Sequence, residues 1–160
     1  QSRSSAASDV YKRQVWGIVQ KDGDIYRFVP SVAPLKEKYR ISDRYGYRTH
    51  PISGERQFHA GLDMAAVYAA TVHAAASGTV TFAGETPGYG KTVVVTHRFG
   101  FQTRYAHLTL IYTRKGAKVE KGDVIGFVGS TGISTGNHLH YEVIKNQKRI
   151  NPLNFIYGTK

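Results

Sequence analysis

From residue 79 onward the hydrophobic positions come in short runs rich in Val, Thr, Ile, Tyr and Phe, separated by glycine-containing turns. Runs of that length and composition predict strands at 79–82, 92–97, 101–107, 124–128 and 138–144. Arg98-Phe99-Gly100 is short enough to close 92–107 into a hairpin. Strands this close in sequence predict a mainly β fold, a single domain on an antiparallel sheet. The Ala-rich stretch 65–76 is interrupted by Val67, Thr71 and Val72, whose branched side chains weaken a helix. No helix longer than about two turns is expected anywhere, and there is no internal repeat.

Upstream the pattern changes. Residues 15–29 hold short apolar runs around Lys21-Asp22-Gly23-Asp24, read as a turn between two strands. Residues 30–38, with Pro30 and Pro34, read as an irregular arm. Residues 1–14, QSRSSAASDVYKRQ, lack hydrophobic period and resemble a translated sequencing adapter. The expected organisation is an artefactual tail at 1–14, an N-terminal arm or remnant of an upstream region at 15–40, and the functional domain at 41–157. No export signal is visible, so any such signal is expected upstream of this segment.

The 160 residues are 41% hydrophobic and 12% aromatic, the make-up of a folded domain rather than a disordered chain. No run approaches the roughly 18 apolar residues of a membrane-spanning helix, so no stable membrane insertion is expected. A net charge of +11 favours polyanions, either nucleic acid or the acidic polymers of a bacterial envelope. Basic residues are scattered over turns and strand ends, and no recognised nucleic-acid motif is present, so nucleic acid is not an expected partner. The absence of cysteine excludes disulfides, thiolate metal ligands and a thiol nucleophile.

Seven histidines carry the candidate chemistry. In HLHYEVI, strand alternation puts His138, His140 and Glu142 on one face and Leu139, Tyr141 and Val143 on the other. Such a strand is half buried and carries a site. A second group is His59-Ala60-Gly61-Leu62-Asp63. A regular strand would hold His59 and Asp63 roughly 13 Å apart, too far for one ion, so a bend permitted by Gly61 is expected. Two histidines and a carboxylate suit catalytic zinc, which keeps a fourth position for water, acidifies it and polarises a carbonyl. His59, Asp63 and His140 are therefore the candidate zinc ligands. His107 and His138 are the candidate catalytic imidazoles, one taking a proton from water and the other serving the oxyanion or the leaving amine; sequence does not assign which. His97 is expected to be exposed at a strand end, His73 packed, and His50 a turn residue.

These residues lie within a longer series: Arg44-Tyr45-Gly46-Tyr47-Arg48-Thr49-His50-Pro51, Phe58-His59-Ala60-Gly61-Leu62-Asp63, Gly88-Tyr89-Gly90, Tyr105-Ala106-His107-Leu108, Lys121-Gly122-Asp123-Val124-Ile125-Gly126, Thr135-Gly136-Asn137-His138-Leu139-His140-Tyr141-Glu142 and Asn151-Pro152-Leu153. In that order, residues 41–154 resemble the LytM/lysostaphin-type zinc endopeptidases, which hydrolyse peptidoglycan peptides. The resemblance implies zinc on His59, Asp63 and His140, catalytic roles for His107 and His138, and loops walling a groove above the sheet. Many members have Asn where this chain has Lys91. Residues 121–128 also resemble turns of biotinyl/lipoyl carrier domains, without their lysine acceptor motif.

The expected function is a zinc-dependent metallopeptidase, a hydrolase cutting cross-links or bridges of bacterial peptidoglycan with metal-activated water. It is expected to act as a monomer in the cell envelope, periplasmic or extracellular. The alternative is a latent or non-catalytic module that binds the cell wall and activates another hydrolase, with 15–39 folded over the site. Sequence leaves open whether the D,D cross-link or a glycine bridge is cut.

Overall fold

A computed structural model describes residues 2–50 and 52–156, so Gln1, Pro51 and Tyr157 of the readings above lie outside the described residues. Two helices, α1 (Ser2–Lys21) and α2 (Gly23–Phe28), precede twelve strands. These are β1 (Arg40–Asp43), β2 (Gly46–Thr49), β3 (Arg56–His59), β4 (Leu62–Ala65), β5 (Thr71–His73) and β6 (Gly78–Thr86). Then follow β7 (Gly90–Thr96), β8 (Phe101–Ile111), β9 (Lys118–Val119), β10 (Val124–Val128), β11 (His138–Lys145) and β12 (Lys148–Ile150). All five expected strands are present, and β7–β8 forms the expected hairpin, pairing Lys91 with Leu108 through Thr96 with Gln102.

The main sheet runs β1-β4-β11-β8-β7-β6-β9, with β10 bridging β5 and β8 and β12 on β11. Every pairing is antiparallel. Strand alternation sorts its residues as the pattern requires. On β4, Leu62 and Met64 are fully buried while Asp63 and Ala65 face the other way. On β11, Leu139, Tyr141 and Val143 join the same core, with Val72, Val93, Val95, Tyr105, Leu108 and Ile125. The opposite face of β4, β11 and β8 is the floor on which the histidines stand. A separate two-stranded sheet, β2–β3, stands beside it.

The helices correct two expectations. Residues 2–21 form one 20-residue helix, where no helix longer than about two turns and a strand from residue 15 were expected. Its sequence has no proline and many good helix formers, Ala6, Ala7, Lys12, Arg13 and Gln14 among them. Its first half is mostly polar or small residues, and only near its C-terminal end does it bury Val19 and set Trp16 against Tyr26, too short an apolar stripe for a pattern reading to find. Asp22 is a helix cap rather than a hairpin turn, its carboxylate accepting from the amides of Asp24 (3.0 Å) and Ile25 (3.2 Å).

Beyond α2 the arm is strapped to the domain. Pro34 accepts from the His73 amide at 2.8 Å, and buried Leu35 bridges Val72 on β5. The Lys121 ammonium donates to the carbonyls of Tyr26 and Val29 and to Ser31 Oγ. Arg27 pairs with Glu120 at 2.6 Å. His73 is packed as expected, its Nδ1 2.8 Å from the Gly122 carbonyl. His50 is a turn residue as expected: its ring accepts from the amides of Ile52 and Ser53.

His97 is buried, not exposed as its strand-end position had predicted. Its Nδ1 donates to the Ser77 carbonyl at 2.8 Å and its Nε2 lies 2.8 Å from Thr103 Oγ1, so it pins β6 to the β7–β8 hairpin. Burial pulls its pKa down to about 4, against the Ser77 bond that raises it. The unfolded chain then takes up a proton that the fold refuses between about pH 6.5 and pH 4. Folding stability should fall as pH drops through that window, by on the order of 2–3 kcal/mol from this ring. In urea melts at pH 7 and pH 4.5, His97→Gln is expected to flatten that decline; an unchanged slope would contradict it.

Candidate metal centre and active-site groove

The β4–β11 register sets Asp63 directly opposite His140 and Ala65 opposite His138. β3 delivers His59, and the chain then turns through Ala60 and Gly61 into β4. His59 Nε2 and Asp63 Oδ1 thereby lie 3.3 Å apart, against the roughly 13 Å of a straight strand. The bend expected from the spacing is present, but the demand on Gly61 is for space. A Cβ there would stand 2.5 Å from the Tyr141 carbonyl oxygen, 2.9 Å from Glu142 Cγ and 2.9 Å from His140 Cε1.

His59, Asp63 and His140 each turn one ligand atom to a common point, all within 4.8 Å of one another. His140 Nδ1 is 2.7 Å from Asp63 Oδ1. Each imidazole is fixed by its far nitrogen. His59 Nδ1 donates to the Arg44 carbonyl at 2.9 Å, leaving Nε2 for the cluster. His140 Nε2 is 2.9 Å from Glu142 Oε1, leaving Nδ1. Glu142 is fully buried and is also bound by Tyr89 Oη (3.0 Å) and Arg149 Nε (3.1 Å), with Arg104 at 3.6 Å.

The electrostatics call for a cation. Burial pushes the Asp63 pKa up, but hydrogen bonds from His140 and His59 reverse this and hold it well below the usual carboxylate range. Burial pulls His140 down, yet the Asp63 and Glu142 carboxylates push it up to about 9. An imidazole between two carboxylates holds positive charge where a divalent ion would supply it. Two imidazole nitrogens and one carboxylate oxygen are a donor set that zinc accepts, so the residues fit that metal.

His107 and His138 stand beside the cluster, ring centroids 4.7 Å apart, and His107 is 5.9 Å from His140. His107 Nδ1 donates to the Thr131 carbonyl at 2.7 Å, and His138 Nδ1 to the Gly136 carbonyl at 2.9 Å. Both therefore present Nε2 to the groove, that of His138 at 3.8 Å from Asp63 Oδ2. His107 holds φ at +59°, a left-handed conformation seldom taken by residues with a side chain. Two interlocked loops maintain it: Gly90 and Gly132 each lack room for a Cβ against the other's loop. Lys91 joins the same clasp, its amide on Thr131 Oγ1 (3.1 Å) and its ammonium on the Thr109 carbonyl (3.0 Å).

A groove of about 580 Å³ crosses these residues, walled by Asp43, Arg48, Tyr89, Ile133, Ser134 and Thr135. None of its lining residues lies in 15–40. The sequence reading had assigned no role to Glu142, although its position two residues after His140 placed it on the site face. The Arg44 and Thr131 carbonyls left no sequence signal, because any residue supplies a carbonyl.

A mainly β sheet carrying a His–Asp–His cluster in a groove is the architecture of a metal-dependent peptidase domain. Residues 57–152 match the family described as peptidase family M23, and the chain belongs to that family. It is 48% identical over 120 residues to the DD-carboxypeptidase/endopeptidase Mpg of Neisseria meningitidis, covering 75% of this chain and 28% of Mpg. It is 35% identical over 144 residues to the peptidoglycan DD-endopeptidase ShyA of Vibrio cholerae, covering 89% and 34%. The chain thus spans about a third or less of these relatives' length. Among solved structures, a zinc-containing peptidase from Vibrio cholerae superposes with a TM-score of 0.71 at 32% identity, over 79% of this chain and 39% of that one. The catalytic domain of lysostaphin from Staphylococcus simulans gives 0.66 at 30%, over 73% and 91%.

Glu142→Gln should weaken zinc affinity about 10- to 100-fold in chelator competition while the chain stays folded, because the carboxylate orients and polarises His140. Gly61→Ala should lose zinc more completely, since its Cβ displaces His140 itself. Unchanged affinity in both variants would refute the positioning scheme.

Proposed function

We propose that this chain is a zinc endopeptidase of bacterial peptidoglycan, with the metal on His59, Asp63 and His140. The observation that carries the reading is the three-atom cluster within 4.8 Å, its outer nitrogens already committed to Arg44 and Glu142. Bound there, zinc supplies a Lewis acid for the scissile carbonyl and for water. The groove binds an extended peptide across the cluster. His107 takes a proton at Nε2: its Nδ1 is committed to Thr131, and burial and the neighbouring imidazoles lower its pKa and keep the ring neutral. His138, directed by Gly136, turns Nε2 toward the developing oxyanion and the leaving amine, and serves them as a donor in the form that carries a proton on Nε2 as well as on Nδ1.

The D,D bond between stem peptides is the proposed target. Greater identity to Mpg and ShyA, named for DD-endopeptidase activity, than to lysostaphin supports that choice. Similarity to a relative named for peptidoglycan supports action in the cell envelope, periplasmic or extracellular. The alternative of a latent module closed by residues 15–39 gains no support, because that arm packs on β5 and the 120–122 turn.

Two tests follow. Mass spectrometry of purified peptidoglycan should show zinc-dependent fragments with masses that identify a D,D cleavage, absent after EDTA. Fragments cut at glycine bridges would overturn the assigned bond, and no fragments from any wall type would overturn the enzyme. His140→Ala and Asp63→Ala should abolish zinc binding, whereas His107→Ala should retain zinc and lose at least about 100-fold in kcat; full activity in His107→Ala would remove it from the mechanism.

A further inference from the structure

Arg48 is the one arginine or lysine among the described residues lining the groove. It stands on β2, on the same face as Gly46, two residues away, which pairs with His59. Tyr47 between them points to the outer face, where it meets Phe58 and Arg56. The Arg48 guanidinium forms an ion pair with Asp43, and Asp43 Oδ2 lies 3.8 Å from His59 Nδ1. A short chain of contacts thus runs from the cluster through one carboxylate to a single cation.

The pair is unevenly exposed. The Arg48 side chain is 46% exposed and that of Asp43 is 26%. A guanidinium has five N–H donors in a rigid fork, and one carboxylate oxygen uses only part of them. Asp43 therefore fixes the arginine against the groove wall and leaves an outward edge of the fork unused. The groove's other fixed charges are the carboxylates Asp43 and Asp63, so outside the metal cluster and its histidines an anion entering it meets one cationic side chain, Arg48.

We propose that Arg48 is a specificity-determining residue that binds a carboxylate of the substrate peptide. This rests on the hydrolase reading above. A peptide whose scissile carbonyl lies over His59, Asp63 and His140 advances about 3.3–3.6 Å per residue along the groove. Arg48 and the cluster line the same groove, so the guanidinium reads a carboxylate of the peptide a short distance from the cleaved bond. Both a C-terminal α-carboxylate and a side-chain carboxylate at that distance have the required chemistry. Peptides amidated at that carboxylate are then poor ligands and poor substrates.

The test uses a synthetic pentapeptide ending in two D-alanines with one side-chain carboxylate, and two analogues, one amidated at the C-terminus and one at the side chain. Binding is measured by calorimetry on the EDTA-treated chain, and turnover on the zinc-loaded chain. Arg48→Gln is expected to weaken binding of the parent peptide about 10- to 100-fold, the size of a charge-assisted hydrogen-bonded pair. The analogue lacking the recognised carboxylate should bind wild type and variant equally, which identifies that carboxylate. Arg48→Lys, which keeps the charge and loses the fork, should fall between them, and zinc affinity should not change. Equal weakening of all three peptides in both variants, or of none, overturns the assignment. If the zinc-loaded wild type turns over no peptide while the selective binding loss persists, the hydrolase reading fails and Arg48 stands as a carboxylate anchor.

Discussion

The Asp63 carboxylate lies between three imidazoles, with His140 at 2.7 Å, His59 at 3.3 Å and His138 at 3.8 Å. Burial opposes its ionisation, and His140 and His59 offset that cost and hold it ionised. Its position follows from register, Asp63 opposite His140 across β4 and β11. A one-residue slip of β4 would turn Asp63 into the core and Leu62 and Met64 out of it, separating the carboxylate from the histidines of the groove. The apolar faces of β4 and β11 therefore specify the polar site on their reverse. Gly61 belongs to the same constraint, since β11 passes too close for any side chain there.

Around that carboxylate every functional ring is held from behind. The Arg44, Thr131 and Gly136 carbonyls and the Glu142 carboxylate each take the nitrogen that does not face the groove. The scheme fixes tautomers as well as directions, and so prepares ligands and proton acceptors before any substrate arrives. His107 shows what such placement costs, a left-handed backbone held by the Gly90–Gly132 clasp and by Lys91. Lys91 ties the clasp through its amide to Thr131 Oγ1 and through its ammonium to the Thr109 carbonyl.

Much of the site was legible because its chemistry is local in sequence or periodic in strands. The alternation in HLHYEVI placed His138 and His140 on one face, and the positions of the second-half strands followed from composition, although β6 and β8 run on to Thr86 and Ile111, beyond the expected 79–82 and 101–107. The bend between His59 and Asp63 was legible from its consequence, while the reason for Gly61 was a neighbour 80 residues away. Other features depended on contacts that no local pattern encodes. His97 ends a strand yet is buried, because Ser77 and Thr103 approach from separate segments. β1, β4 and β5 are only three or four residues long, and β1 and β4 carry Asp43 and Asp63 toward the site, which weakens any strand signal. Helix α1 was missed because its described apolar contacts, buried Val19 and Trp16 against Tyr26, lie near its C-terminal end and make a short stripe.

The central claim is that one zinc ion is bound by His59, Asp63 and His140. Anomalous diffraction at the zinc absorption edge, from crystals grown with equimolar zinc, tests it most directly. The account predicts one strong peak about 2.0–2.2 Å from His59 Nε2, an Asp63 carboxylate oxygen and His140 Nδ1, with Glu142 still on His140 Nε2. A peak elsewhere, or no peak in that cluster, would contradict it.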